Sequence, residues 1–315
     1  MKFLRGILHY ICKTSEEPGI WTEKMICDIL DLRFNSKRSY LQTENYPNDL
    51  KRDIRETLMD LIPQIKISKH MGHHNDYYDF MNMSNETVSI KTNITGNKIC
   101  SQYIGQTSLQ NFNKKTGYHF KTVNAYKSYI LKNTHEMLNL YLKYLFCCDH
   151  TLSFRYERGE IVYLKKIKSE RSERSEAEEA EVKSERGEAE VKRVKSEAEE
   201  ADLEDTTLTT LQNDVKIVCT QTLKTWNESM TAKVLIDDVY KPLAEFQIHN
   251  NRNCIKCRFN LDTVVTLIEK GLIKNIDLKT LKLRYMYNIK VIREENEIEI
   301  TASTTNKKRK RTNEE

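Results

Sequence analysis

The sequence predicts an α/β protein in which a mixed central sheet is flanked by helices and broken by one charged insertion. Three observations lead there. Segments with apolar residues at every third and fourth position alternate with segments rich in Val, Ile, Tyr and Phe at every second position, the patterns of helix and strand. Hydrophobic residues make up 38% of the 315 and charged residues 31%, enough apolar side chains for a core and too few for a membrane protein. Between residues 168 and 201 the composition shifts abruptly to Glu, Lys, Arg, Ser and Ala.

Helices are expected over 21–31 (WTEKMICDILD) and 47–62 (PNDLKRDIRETLMDLI), the second with Pro47 suited to a first turn. A strand follows near 64–69, then a pair at 78–83 and 86–92 joined by a turn at Asn82 to Asn85. GNKICSQYIGQTSLQNF, 96–112, starts as loop and becomes helical, and NAYKSYILKNTHEMLNLYLKYLF, 124–146, carries the longest helical pattern. LSFRYERGEIVYLKKI, 152–167, reads as a hairpin turning at Glu157 to Gly159. Later, VKIVCTQTL, AEFQIH and CIKCRFN read as strands, and LDTVVTLIEKGLI as a helix stopped by Gly271. The simplest organisation is one α/β domain in two parts, 1–167 and 203–300, separated by an insertion at 168–202 and followed by a basic tail at 301–315.

The insertion repeats itself: KSER begins at 168 and 183, SEAEEA at 175 and 196, AEVK at 180 and 189. Without an aromatic residue or an apolar stripe it buries too little surface to offset the entropy of ordering, so it is expected as a disordered or transiently helical surface segment. It holds twelve Glu against eight Lys or Arg, a net of −4, which leaves +9 on the rest of a chain whose total is +5. A basic body favours a polyanionic partner such as nucleic acid, because Lys and Arg that neutralise phosphates release counterions.

MKFLRGILHYICKTSEEP at the N-terminus is too short and too interrupted by charge to be a secretory signal, and an intracellular location is expected. In a reducing compartment the eight cysteines, Cys12, Cys27, Cys100, Cys147, Cys148, Cys219, Cys254 and Cys257, are then expected as free thiols. Cys254 and Cys257 resemble half of a zinc site, but an odd spacing within a strand puts them on opposite faces.

The stretch YDFMNMSNETVSIKTN, 78–93, carries the chemistry. Alternation puts Thr87, Ser89 and Lys91 on one face of the second strand and Val88 and Ile90 on the other. Antiparallel pairing through the short turn brings Asp79 beside the end that holds Lys91. A carboxylate, a backbone carbonyl and an ammonium at one sheet edge fit phosphodiester hydrolysis, which needs hard oxygen donors for a divalent cation and a group that handles the attacking water.

These residues resemble the PD-(D/E)XK nucleases, and among them type II restriction endonucleases: YDF, a short turn, SIKTN, then a loop and Q-x-x-x-Q. The resemblance implies a restriction-endonuclease-like fold, with GIWTEKMICDIL as its first helix and Glu23 completing the metal shell. It implies Mg2+ held by Asp79, Glu23 and the Ile90 carbonyl, water activation by Lys91, and Gln102 and Gln106, at i and i+4 of a helix, beside the metal. It also implies double-stranded DNA cut at a short palindrome, a homodimer, and a companion DNA methyltransferase. The second acid of the family's motif is Ser89 here, which puts weight on Glu23 or on a substitute such as Glu56; Asp76 rivals Asp79 as metal ligand.

QIHNNRNCIKCRF places His249, Asn250, Asn251, Arg252 and Asn253 in a polar turn between strands, the candidate for reading base edges, since Asn and Arg pair bidentately with adenine and guanine. His70, His73, His74 and Asn75 offer an HNH-type alternative, and a non-catalytic DNA-binding protein on a degenerate nuclease fold is the other. Lys307, Lys308, Arg309, Lys310 and Arg311 fit nuclear import or a loose phosphate-binding arm. Basic tail and low-complexity insertion together suggest a large DNA virus, with the protein in host cytoplasm or nucleus or packaged in a virion.

Overall fold

A computed structural model describes residues 17–35, 48–72, 78–94, 96–101, 103–167, 210–249 and 254–283. The charged insertion, the basic tail, Gln102, residues 73–77 and residues 250–253 of the polar turn lie outside the described residues. No described helix is long and apolar enough to cross a membrane. The chain divides into two compact units: 1–97, 150–163 and 279–315 form the first, and 98–149 with 164–278 the second. This division does not follow the insertion.

The first unit begins with α1 (Glu17–Ile29), α2 (Asn48–Leu58) and the single turn α3 (Ile62–Ile65). Its sheet has the order β1-β2-β3-β6-β7-β12, from β1 (Ile67–His70), β2 (Phe80–Asn82), β3 (Thr87–Asn93), β6 (His150–Arg155), β7 (Glu160–Lys166) and β12 (Ile276–Lys282). The sheet is mixed, as expected: β2 runs antiparallel to β1 and β3, while β3 and β6 are parallel. The alternation in β3 decides its two faces. Val88 and Ile90 are buried in one apolar core with Trp21, Met25 and Ile26 of α1, Leu50, Ile54 and Leu58 of α2, and Leu152 and Phe154 of β6. The other face is polar, with Ser89, Lys91 and Asn93 in register with Thr151, Ser153 and Arg155. Arg155 closes that row by pairing with Glu160 at 2.8 Å, and Lys282 reaches the same carboxylate at 2.5 Å.

The turn between β2 and β3 forms as its Asn residues require. Asn82 Oδ1 accepts from the amides of Ser84 (2.9 Å) and Glu86 (2.7 Å), and Asn85 takes φ 61°, a left-handed conformation Asn tolerates. Glu86 is then tied across the sheet. Asn82 Nδ2 donates to it at 2.6 Å, His150 Nε2 lies 3.1 Å from its Oε2, and His150 Nδ1 is 2.9 Å from the Tyr163 hydroxyl.

The second unit carries β4 (Lys98–Cys100), β5 (Gln106–Ser108), β8 (Ile217–Cys219), β9 (Ser229–Ile236), β10 (Val239–His249) and β11 (Cys254–Asn260) in the order β4-β11-β10-β9-β8, with β5 also on β11. Its described pairings are antiparallel. Its helices are α4 (Leu109–Thr116), α5 (Val123–Lys132), α6 (Thr134–Leu145) and α7 (Leu261–Glu269). Aromatic rings join helices to sheet: Phe112 meets Tyr126 at 5.5 Å and Tyr141 at 5.8 Å, and Tyr141 meets Phe246 at 5.8 Å. Cys257 is buried and Cys254 half-buried on opposite faces of β11, as the odd spacing requires.

Three elements differ from expectation. The helix over 124–146 is two helices, broken at Asn133 (φ −126°, ψ 44°), which stops α5 and opens α6. Residues 98–108 hold two short strands, Lys98–Cys100 and Gln106–Ser108, before the helix. The hairpin of β9 and β10 turns on Asp237 and Asp238, both at positive φ (50° and 60°), and joins strands longer than the apolar pattern alone marks. Replacing His150 with Ala is expected to destabilise the first unit by about 1–3 kcal/mol, since Tyr163 and Glu86 lose a buried partner; urea unfolding of the two proteins measures it.

Candidate active site

The site grows from the edge where β2 begins. Asp79 precedes β2, and its amide donates to the Val88 carbonyl at 2.9 Å, so the ladder that pairs Phe80 with Val88 already fixes its backbone. Its carboxylate turns toward β3: Oδ2 accepts from the Ile90 amide at 2.5 Å and from Ser89 Oγ at 3.4 Å. Asp79 is thereby held on the side of the strand that carries Ser89, and Lys91 follows Ser89 on that face.

Glu23 comes from α1. Trp21, Thr22, Met25, Ile26 and Cys27 of that helix are buried, and Thr22 Oγ1 bonds both the Pro18 carbonyl (2.7 Å) and the Tyr156 hydroxyl (2.5 Å), fixing the helix against the sheet. Glu23 stands at the margin of that face, 18% exposed, with its Oε2 3.1 Å from Nε2 of the buried His70 at the end of β1. Burial pushes the Glu23 carboxyl above its ordinary range and the negative charge of Asp79 pushes the same way, while the hydrogen bond from His70 and the charge of Lys91 oppose them. Net, its acidity is weakened. The structure thus brings Glu23, Asp79 and Lys91 within electrostatic reach of one another, and adds His70.

Other candidates fall elsewhere. Gln106 opens strand β5 in the second unit and is exposed, not helical; Gln102 lies outside the described residues. Glu56 is exposed on α2. Of the base-reading turn only His249 is reached, where β10 pairs it with Cys254; Asn250, Asn251, Arg252 and Asn253 lie outside the described residues, as do Asp76, His73, His74 and Asn75. His70, which ends β1, is 1% exposed and packed between Phe34 (4.8 Å) and Phe80 (4.9 Å).

Among the described residues no three His, Cys, Asp or Glu side chains converge as a complete metal shell. Two carboxylates and the Ile90 carbonyl are an all-oxygen donor set, and two repelling carboxylates in a partly desolvated place are what a hard divalent cation relieves. The residues fit such an ion better than they fit zinc, which prefers Cys and His. Because the Glu23 pKa is raised on folding, its contribution to stability is present below the unfolded value of 4.5 and lost as pH rises through the folded value. In the absence of divalent metal, Glu23→Gln is therefore expected to raise Tm at pH 8 and to change it little at pH 4, which thermal scans in EDTA at the two pH values compare.

No protein-family model matches the chain, and no solved structure matches it. Over 259 residues the chain is similar, at 26% identity, to the type II restriction enzyme CviAII of Paramecium bursaria Chlorella virus 1; the match covers 80% of this chain and 60% of that protein's length.

Proposed function

We propose that the chain is a type II, Mg2+-dependent endonuclease that cuts double-stranded DNA at a short, specific, palindromic site, of the PD-(D/E)XK kind with Ser in place of the second acid. The observation that carries this reading is the convergence of the Asp79 and Glu23 carboxylates with Lys91 around the start of β2 and the middle of β3. The distant likeness to a type II restriction enzyme supports it.

In this reading Asp79, Glu23 and the Ile90 carbonyl hold the cation, which when bound acidifies water and offsets the charge that develops on the phosphate. The chain's own groups do the rest. The Ile90 amide and Ser89 hydroxyl keep the Asp79 carboxylate from rotating away. Lys91 orients the attacking water, takes up its proton, and faces the phosphate as a positive charge. Hydrolysis leaves a 5′-phosphate and a 3′-hydroxyl. The turn at 249–253 reads base edges, and a homodimer matches the two-fold symmetry of a palindrome, each copy cutting one strand. A companion methyltransferase would protect the same site.

A second reading has one observation in its favour: with Ser at 89 only two described carboxylates meet, so the chain could bind DNA on this fold without cutting it. Supercoiled plasmid separates the two. The enzyme reading expects Mg2+-dependent double-strand cuts at fixed positions, reduced about 10²-fold or more in Lys91→Ala and in Asp79→Ala while both variants still shift DNA in a gel. DNA binding by the wild-type chain with no cutting over a range of Mg2+ and Mn2+ sinks it.

A further inference from the structure

We propose that His70 is the positioning residue of Glu23: its Nε2–H holds Glu23 Oε2 and thereby aims the other carboxylate oxygen at the cation site. This rests on the reading of Glu23 and Asp79 as metal-holding carboxylates, and goes beyond it by giving Glu23 a dedicated partner from another element.

The argument begins with the ring's other nitrogen. The Asn35 amide donates to His70 Nδ1 at 3.0 Å, so Nδ1 carries no proton and the ring proton lies on Nε2, which faces Glu23 Oε2 at 3.1 Å. Asn35 also donates from its side chain to the His70 carbonyl at 3.1 Å, so one residue grips both the backbone and the ring. The ring cannot swing. Phe34 stacks on one side at an interplanar angle of 18° and Phe80 tilts against it at 53°. Gly72 completes the enclosure: a Cβ there would come within 2.5 Å of His70 Cε1 and 2.9 Å of Nε2, so the chain leaves that position bare beside the ring.

An imidazole clamped on four sides, with its single donor spent on one carboxylate oxygen, is more than a core histidine needs for its own satisfaction. Glu23 is anchored by a long flexible side chain, and fixing one oxygen removes most of its rotamers before any ion arrives. With Oε2 held by His70 and with Asp79 and Lys91 in electrostatic reach of the same carboxylate, the proposal leaves Oε1 for the ion.

Two substitutions of similar volume read the hydrogen bond apart from the packing. His70→Met fills the space between the rings without a donor, and His70→Gln places an amide N–H where Nε2–H stands. Calorimetric titration of the DNA-free protein with Mg2+ alone, with circular dichroism to check folding, should show affinity reduced about 10- to 100-fold in His70→Met and largely restored in His70→Gln. The Mg2+ concentration for half-maximal plasmid cutting should move in parallel. Glu23→Ala is the control that distinguishes the two levels of the argument. Mg2+ binding lost in Glu23→Ala but unchanged in a folded His70→Met overturns the role of His70 alone. No Mg2+ binding by the wild-type protein, or binding indifferent to Glu23→Ala, overturns the metal-site reading and this proposal together.

Discussion

The bond from the Ile90 amide to Asp79 Oδ2 is the constraint on which the site depends. The β2–β3 ladder has only two registered pairs, Phe80 with Val88 and Met81 with Thr87, and a carboxylate one residue before such a short ladder would ordinarily sample many rotamers. Here a main-chain donor of the neighbouring strand holds it. The donor cannot move without breaking β3, and β3 is fixed on its far side by a parallel register of six residues with β6. Rigidity passes from the sheet to the carboxylate through one hydrogen bond, which is how a site gains precision when its acid sits just outside regular structure.

The same strand serves two opposed purposes, and the period of two keeps them apart. Val88 and Ile90 belong to the apolar core under α1 and α2, so their burial fixes the height and twist of β3. Ser89 and Lys91 inherit their positions from that packing without taking part in it. A slip of one residue would bury Lys91 and expose Ile90, so the core specifies the register and the register specifies the site. Glu23 shows the same economy on α1: its neighbours Trp21, Met25 and Ile26 are core residues, and it projects from the margin of the face they define.

Local patterns were legible in the sequence and distant pairings were not. The β2–β3 pair, its Asn82–Asn85 turn, the Gly159 turn and the opposite faces of Cys254 and Cys257 depend on alternation or on residues within a few positions, and each lies where the pattern puts it. The break at Asn133 was hidden because the apolar spacing of α5 continues in phase into α6. The β9–β10 turn uses two Asp residues at positive φ, where the usual signal is Asn or Gly. Sequence proximity groups His70 with His73 and His74, yet its partner is Glu23, 47 positions away. The one available hint was that His70 ends an otherwise strand-like ISKH, where a polar ring at a core position needs a buried acceptor.

Ser89 gains a physical account from this geometry. Its hydroxyl donates to Asp79 Oδ2, and it is 2% exposed. A carboxylate at 89 would stand beside Asp79 on the same face and add a second buried negative charge next to a group already repelling Glu23. With Ser there, position 89 orients the first acid, and the second negative charge arrives from α1, where His70 can hold it. In the proposed reading the two acids stand on separate elements and each is held by a donor before a cation arrives, Asp79 by the Ile90 amide and Glu23 by the imidazole. Ser89 and the His70 clamp belong, in that reading, to one arrangement: the second carboxylate comes from α1, and a donor from β1 holds it.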